Sequence, residues 1–384
     1  RAYGLRTGRY TSPHLSKVTE RISIDGEPVS DETFVRIWDE IHPYLDIVDA
    51  ELEAAGEPRL TYFECVTILA FAVFADEPVD VAVIEVGLGG ITDATNVGDG
   101  SVAVVTPISL DHTELLGDDV ADIAMEKAGI IKEGGFLISA AQPMEAAQVL
   151  LEKAREVGIP YRFEGVEFGV ESRVMAVGGQ MLTIAGLAGR YEELLLPLHG
   201  KHQAENAAVA VAALEAFIGG GTKELDVELL RTGFSTVSSP GRLEVVRTAP
   251  TIVVDAAHNP AGAKASAEAV LEAFSFTSLV LVVGILAEKD SVGILTELRE
   301  TLGDQIAGVC LTQSSSPRAL SAEDLVQDAV DAGFADEDLQ VEPGLDNAIE
   351  WAVAKAEENN DLAGGVLIIG SITLVAEART LLGK

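Results

Sequence analysis

The sequence predicts an α/β protein with two domains and mostly parallel sheets. β-Branched runs alternate with helical patterns along most of the 384 residues, as in strands joined by crossover helices. A hydrophobic content of 48% is enough to form two buried cores. The polar stretch "STVSSPGRLE" at residues 235–244 separates two patterned regions and predicts the boundary between the domains.

Strands and helices alternate in the first region. "VDVAVIEV" (residues 79–86) predicts a fully buried strand, and "VAVVT" (102–106) and "FLISA" (136–140) predict two more. Helices are predicted over residues 118–131 and 144–157. The apolar face of the first helix consists of Val120, Ile123, Ala124, Ala128 and Ile131.

The pattern changes to two-residue alternation over residues 164–198. This stretch predicts an antiparallel insertion with a hairpin turn at Gly178 and Gly179. Helical periodicity returns over residues 203–217.

In the last region the strands "TIVVD", "SLVLVVG", "AGVCLT" and "GVLIIG" alternate with helices. The helices are predicted near residues 261–274, 291–302, 321–332, 345–358 and 374–382. This order predicts a smaller, doubly wound, Rossmann-like unit. We therefore predict domains at residues 1–237 and 238–384.

The charge of the chain limits its partners. It carries 26 Lys and Arg against 62 Asp and Glu, a net charge of −36. The negative electrostatic field of such a chain repels polyanions, so nucleic acid is excluded as a general partner. To bind a nucleotide or an acidic small molecule, the protein would need a local source of positive charge, such as a bound cation, a helix N-terminus or converging basic residues.

The cysteines and the apolar segments indicate the compartment. Cys65 and Cys310 lie in different halves of the chain and form neither a disulfide framework nor a metal-ligand spacing. The longest apolar segment, at residues 66–75, is far shorter than the ~20 residues of a membrane span. We expect a protein of the reducing cytoplasm that does not contact a membrane.

The glycine cluster in "EVGLGGITDATN" raises the question of phosphate binding. It lacks the lysine and hydroxyl residue of a Walker loop, and Thr92 and Asp93 stand where a Rossmann fingerprint needs its third glycine. Glu85 remains at the carboxyl end of a strand, where ligands collect in open α/β sheets. A metal ligand and a residue at the rim of a tight turn are both open interpretations of Glu85.

Two further segments carry candidate metal ligands. Asp111 and His112 end the strand "VAVVT" and its apolar continuation, where His112 is either structural or a ligand. In "EKAGIIK", Lys127 lies close to the apolar face of its helix. A partly buried lysine has a lowered pKa and reacts as a free amine, whereas the alternative is that Lys127 reaches solvent along its aliphatic stem.

Other polar segments follow predicted strands or begin helices. "TSPHLSKVTER" contains Ser12, His14 and Arg21, which suit a magnesium ligand and a phosphate clamp or an ordinary turn. "HGKHQAENAA" carries His199, His202, Gln203 and Asn206 at a helix start. "VVDAAHNPAG" places Asp255, His258 and Asn259 at a strand-to-helix turn, and Arg242 lies in the predicted hinge.

Taken in order, these segments resemble one family. The matching strings are "TSPHL", "ERI", "TYFE", "EVGLGG", "DATN", "LDHTELLGD", "EKAGIIK", "HQAENAA", "PGRLE" and "DAAHNP". Together they resemble the dihydrofolate synthase/folylpolyglutamate synthase family of Mur-type ATP-dependent amide ligases. The resemblance implies a P-loop-type ATPase domain like the Mur ligase central domain, followed by the Rossmann-like domain.

The resemblance also implies a reaction and its participants. ATP phosphorylates a carboxylate of dihydropteroate or a reduced folate, and the amine of L-glutamate then attacks the acyl phosphate. Two magnesium ions are implied. The first would be held by Ser12 and Glu85, and the second by His112 and a carbamylated Lys127. With these ligands, Glu85, His112 and Lys127 become the expected catalytic residues.

The resemblance further implies a nucleotide-binding set, which consists of Asn206, Arg242, Asp255 and His258. The implied partners are these small molecules alone, and the implied state is a monomer.

Two departures from the family pattern stand out. The phosphate loop of the family would lie before residue 1, so we expect the chain to be truncated at its N-terminus. Ile91 and Thr92 replace the arginine that usually follows "GLGG", which affects one cationic contact. Two alternatives stay open: a non-catalytic folate- or nucleotide-binding relative without the loop, and a Mur-type ligase with another substrate.

Overall fold

The computed structural model describes residues 1–111, 113–358 and 364–384. The chain divides into two compact units. The first comprises Arg1–Gly169, Ile184–Glu192 and Ala208–Gly233, and the second comprises Val170–Thr183, Glu193–Ala207 and Phe234–Lys384. The second unit thus includes three stretches of the predicted first domain, at residues 170–183, 193–207 and 234–237, and the boundary at residue 237 stays a prediction.

The first unit contains two sheets. Strands β1 (Thr7–Tyr10), β2 (Ile22–Ile24), β3 (Glu27–Pro28) and β4 (Val81–Ile84) form one, in the order β3-β2-β1-β4. β1 pairs antiparallel with β2 and parallel with β4. Strands β5 (Ala103–Val105), β6 (Leu137–Ser139) and β7 (Tyr161–Phe163) form the other, which is parallel throughout.

Five helices of the first unit are described, and side chains cap the first turns of α1 and α2. They are α1 (Asp31–Ala55), α2 (Tyr62–Asp76), α3 (Thr113–Leu116), α4 (Val120–Lys127) and α5 (Met144–Val157). Ser30 caps α1 by accepting a hydrogen bond from the N–H of Thr33. Thr61 and Glu64 form a capping box on α2, so the string "TYFE" marks a helix start.

The prediction that residues 79–86 form a fully buried strand is wrong. β4 covers only Val81–Ile84 and lies at the end of its sheet, where Val83 is 62% exposed. Among the described residues only β1 pairs with it. A continuous apolar run indicates a strand but cannot show whether neighbours cover both of its faces.

The helix predicted over residues 118–131 is shorter than expected. α4 ends at Lys127, and a 3-10 turn follows at Ala128–Ile130. The predicted apolar face is confirmed, because Ile123, Ala124, Ala128 and Ile131 are buried in one core cluster.

The next elements have residues in both units. They are β8 (Gly169–Ala176), β9 (Gly179–Ala185), β10 (Arg190–Leu196), α6 (Lys201–Gly219) and α7 (Val227–Ser235). The strands are ordered β10-β9-β8. Two residues, Val177 and Gly178, join β8 to β9, so the predicted hairpin is present and its turn lies one residue earlier than the predicted Gly178 and Gly179.

The second unit contains a sheet with helices between its strands. The strands are β11 (Glu244–Thr248), β12 (Thr251–Asp255), β13 (Ser278–Val283), β14 (Ile306–Leu311), β15 (Leu339–Val341) and β16 (Gly364–Ile369). Their order is β11-β12-β16-β13-β14-β15. All neighbours pair parallel except β11 and β12.

The doubly wound prediction for this unit is confirmed. Its helices are α8 (Pro260–Ala273), α9 (Ser291–Leu302), α10 (Asp324–Asp331), α11 (Leu345–Glu357) and α12 (Ile372–Leu381). The central strands are wholly buried, including Leu281, Val309 and Leu367. β11 and β15 were not among the predicted strands; they lie at the two ends of the sheet and are partly exposed, so no continuous apolar run marks them. Within the described residues, no helix is long and apolar enough to cross a membrane.

Candidate active site

Ser12 and Glu85 meet at one edge of the first sheet. β1 and β4 are parallel neighbours with Tyr10 opposite Ile84, so the residues that follow both strands emerge side by side. The N–H of Glu85 donates to the carbonyl of Tyr10 (2.9 Å), and the N–H of Ser12 donates to Oε2 of Glu85 (2.9 Å). The structure therefore brings together the two residues predicted to hold the first magnesium.

The donor atoms at this edge fit a hard cation. A serine hydroxyl and a carboxylate are the oxygen ligands that magnesium accepts, usually together with water and substrate phosphates. Among the described residues, no three His, Cys, Asp or Glu side chains are grouped closely enough to hold a metal. Ser12 and Glu85 would thus supply part of a coordination shell, with the nucleotide supplying the rest.

The glycines after Glu85 allow the loop to pack closely against the end of α4. A Cβ at Gly90 would lie 2.5 Å from the carbonyl oxygen of Glu126, and one at Gly129 would lie 2.6 Å from Ile91. The N–H of Ile91 donates to that same Glu126 carbonyl (3.1 Å). The segments "EVGLGG" and "EKAG" therefore touch through their backbones. A side chain at Gly90 or Gly129 would not fit into this contact.

Polar residues of "DATN" hold the same loop. Asp93 accepts the N–H groups of Leu88 and Thr95, both at 2.9 Å. The amide of Asn96 donates to the carbonyls of Ile91 (3.2 Å) and Gly129 (3.1 Å). These side chains act on the backbone and fix the position of the loop relative to α4.

Lys127 ends α4 close to this contact. Burial lowers the pKa of its ammonium group, and the negative charge of the nearby Asp111 opposes that shift. A larger fraction of the amine is therefore neutral than in an exposed lysine. His112, which was predicted to join Lys127 at the second magnesium, lies outside the described residues.

Arg21 is a buried cation in the segment after Ser12. It is 8% exposed, and its Nε donates to Nδ1 of His14 (2.9 Å). Its guanidinium lies 5.4 Å from the ring centroid of Tyr62. His14 and Arg21 were predicted as site residues, whereas Tyr62 was not, because an aromatic residue at a helix start indicates nothing beyond packing.

Asp255 binds the backbone in the second unit. It is 4% exposed, and its carboxylate accepts the N–H groups of Leu243 and Ala257, both at 2.9 Å. Burial raises its pKa, while the positive charge of the nearby Arg242 opposes the rise. The carboxylate thus ties "PGRLE" to the carboxyl end of β12 and holds Arg242 beside it.

The remaining predicted nucleotide residues lie on neighbouring segments. Nδ1 of His258 lies 3.0 Å from the carbonyl oxygen of Ala256, and Asn259 caps α8 through the N–H of Gly262 (2.8 Å). Asn206 is exposed on α6. It lies one helical turn after His202, so both share a face of that helix.

A cavity of about 280 Å³ opens beside Arg242 and was not predicted. Segments 197–199 and 237–245 line it. One of its lining residues, His199, has a buried Nδ1 with no hydrogen-bond partner in the described part of the chain. The guanidinium of Arg242 gives this cavity a positive charge, which suits a polar or anionic small molecule.

Comparison with known proteins identifies two domains. Residues 43–214 match the Mur ligase middle domain, and residues 241–372 match the Mur ligase glutamate ligase domain. The dihydrofolate synthase/folylpolyglutamate synthase of Mycobacterium tuberculosis is 44% identical over 400 residues, which cover 99% of this chain and 81% of the relative. The enzyme of the same name from Escherichia coli is 32% identical over 384 residues, 100% of this chain and 83% of the relative.

Solved structures of folylpolyglutamate synthases are also similar to this chain. M. tuberculosis folylpolyglutamate synthase complexed with ADP and AMPPCP has a TM-score of 0.94 at 44% identity, covering 100% of this chain and 86% of that one. E. coli FolC in complex with DHPP and ADP has a TM-score of 0.82 at 30% identity, covering 99% and 83%. The chain therefore belongs to the dihydrofolate synthase/folylpolyglutamate synthase family of Mur-type ligases.

Proposed function

We propose that this protein uses ATP and magnesium to join L-glutamate to the carboxylate of dihydropteroate, a reduced folate, or both. The observation that carries the proposal is the adjacency of Ser12 and Glu85 at the carboxyl ends of β1 and β4. Supporting it, relatives that match almost the whole chain are named for this activity, and one is solved with DHPP and ADP.

The proposed reaction has two steps. A carboxylate oxygen of the acceptor attacks the γ-phosphorus of ATP, the bond to the β-phosphate oxygen breaks, and ADP leaves. The neutral amine of glutamate then attacks the acyl carbon, inorganic phosphate leaves, and the nitrogen loses a proton as the amide forms. Magnesium, when bound, neutralises phosphate charge that a protein of net charge −36 would otherwise repel.

The residues of this chain have separate roles in the proposal. Ser12 and Glu85 would hold a magnesium ion, which would supply positive charge for the ATP phosphates. Asn206, Arg242, Asp255 and His258 form the nucleotide-binding set, in which the buried Asp255 also fixes the backbone next to Arg242 through the N–H of Leu243. We also propose that the protein acts in the cytoplasm as a monomer; the free thiols of Cys65 and Cys310 support the reducing compartment, and the monomeric state is what the family resemblance implies.

ADP release tests this function. The protein should release ADP over many turnovers only when glutamate, magnesium and a pterin acceptor are all present, because without glutamate the acyl phosphate is not consumed and at most one ADP forms per site. Dihydropteroate and tetrahydrofolate, supplied separately, identify the acceptor. Nucleotide binding without ADP release would indicate a non-catalytic relative, and release with only a cell-wall precursor would indicate a different Mur-type ligase.

We further propose that Lys127 carries a carbamate that helps bind a second magnesium ion, together with His112. The neutral Nζ attacks the carbon of CO₂, an N–C bond forms, and the nitrogen loses a proton. The product is a carboxylate, which binds a hard cation as an ammonium group cannot. The lowered pKa of the half-buried Lys127 supports this step, because more of the amine is neutral.

Carbamylation of Lys127 predicts a mass change that requires no activity measurement. In bicarbonate buffer, native mass spectrometry should show the mass of one added CO₂, and a Lys127→Ala variant should lack it. Lys132→Ala, in the same segment, is the matched control and should retain the added mass. An unmodified wild-type protein at saturating bicarbonate would refute the proposal.

A further inference from the structure

A buried glutamine lies beneath the turn that leads into α6. Gln180 of β9 is 0% exposed. Its Nε2 donates to the carbonyl oxygens of Leu198 (2.9 Å) and Gly200 (3.0 Å), so both amide hydrogens are used. A buried carboxamide that spans two carbonyls of one turn fixes the path of that turn.

An ion pair holds the glutamine in turn. Oε1 of Gln180 accepts a hydrogen bond from Nη1 of Arg173 on β8 (3.1 Å). Arg173 also forms a two-point pair with Glu272 of α8, in which Nη1 lies 2.7 Å from Oε2 and Nη2 contacts Oε1. The network therefore runs from α8 through β8 and β9 to the turn at residues 198–200, and all of it lies within the second unit.

The turn has little freedom of its own. Gly200 adopts a φ of +93°, and a Cβ there would lie 2.6 Å from Cε1 of His202 and 2.8 Å from Cβ of Ala269. Its carbonyl also accepts the N–H of Gln203 (3.2 Å). A shift of this turn would consequently rotate or translate the first turns of α6, which carry His202 and Asn206.

We propose that Gln180 is a positioning residue for nucleotide binding. Held by Arg173 and Glu272, its carboxamide fixes the turn at residues 198–200 and thereby the face of α6 that presents Asn206. The proposal rests on the proposed function, which assigns Asn206 to the nucleotide site. Gln180 itself touches backbone carbonyls of the turn and is not a catalytic residue.

The Gln180→Leu variant tests the proposal through the affinity for nucleotide. Leucine occupies a similar volume but donates no hydrogen bond, so the turn loses both contacts. We expect the Kd of AMPPCP and the KM for ATP to rise about tenfold, since the loss of one hydrogen bond to a ligand has an effect of this order. The KM values for glutamate and the pterin acceptor should stay unchanged. Arg173→Met, which leaves the glutamine in place without its anchor, should produce a smaller rise in the same two constants.

Two controls separate positioning from general instability. Gln148→Leu, on the exposed face of α5, should change neither Tm nor nucleotide affinity. Glu215→Gln weakens a buried network in the first unit, where Glu215 accepts Tyr191 Oη (2.7 Å) and the N–H of Gly189 (3.1 Å). This variant should lower Tm while leaving the Kd of AMPPCP unchanged.

The outcomes distinguish a failure of the positioning role of Gln180 from a failure of the assignment of Asn206 to the nucleotide site. Gln180→Leu and Arg173→Met variants that lower Tm without weakening AMPPCP binding would overturn the positioning role. If Gln180→Leu does not fold, Arg173→Met alone decides the matter. An Asn206→Ala variant with normal AMPPCP affinity would instead refute the nucleotide assignment on which the inference rests.

Discussion

Replacing Glu85 by glutamine is expected to lower ADP release at least a hundredfold. The change removes one negative charge from the predicted magnesium site and keeps the shape of the side chain. Loss of about 3–4 kcal/mol of transition-state stabilisation, a reasonable share of what a bound metal supplies, corresponds to a factor of 10² to 10³. The magnesium concentration for half-maximal activity should rise as well.

The fold should survive the Glu85→Gln change. A glutamine carbonyl can still accept the N–H of Ser12, which Glu85 now accepts at 2.9 Å, so the end of β1 keeps its contact. Glu27→Gln, in the exposed strand β3 of the same sheet, is the matched control and should retain full activity. ADP release from Glu85→Gln within threefold of wild type would show that this carboxylate does not hold the catalytic metal.

We expect the protein to become markedly more stable as the KCl concentration rises. Its acidic residues exceed its basic residues by 36, so repulsion among surface carboxylates opposes the compact state. The Debye length falls from about 10 Å at 0.1 M salt to about 3 Å at 1 M. Screening also weakens exposed pairs such as Arg36–Asp76, but such pairs contribute little, so relief of the net repulsion prevails.

Thermal unfolding at several KCl concentrations measures this effect. A gain of about 3 kcal/mol between 0.1 and 2 M KCl would raise the Tm by roughly 10 °C for units of this size. A variant with lysine at Asp336, Glu337 and Asp338, which are all exposed, changes the net charge from −36 to −36 + 6 = −30. Its Tm should depend less on salt. A Tm that is flat or falls with KCl would contradict the expectation.

Much of the fold could be predicted from local pattern. α9 begins and ends at the predicted residues, and the buried strands β12, β13, β14 and β16 lie where apolar runs stand in the sequence. These elements are wholly internal, so their composition reports their environment directly. β4 is the counterexample, because its apolar run lies on an open sheet edge.

The site was predictable in its chemistry but less so in its contacts. Glu85 and Lys127 could be selected because a carboxylate at a strand end and a lysine near an apolar face are unusual in a sequence. The role of the glycines between Glu85 and Lys127 could not be predicted in this way. Gly90 is needed because the backbone of α4 lies against it, and that neighbour is 36 residues away in the chain.

The sequence by itself determined the order of strands and helices, the excess of negative charge and the identity of the polar groups at the strand ends. These are properties of residue type and short-range periodicity. The tertiary structure alone decided that Ser12 meets Glu85 and that Gln180 meets the carbonyls at residues 198 and 200. The first contact depends on the parallel pairing of β1 with β4, and the second on the packing of β9 under the turn before α6. Both are set by long-range packing, which local periodicity does not encode.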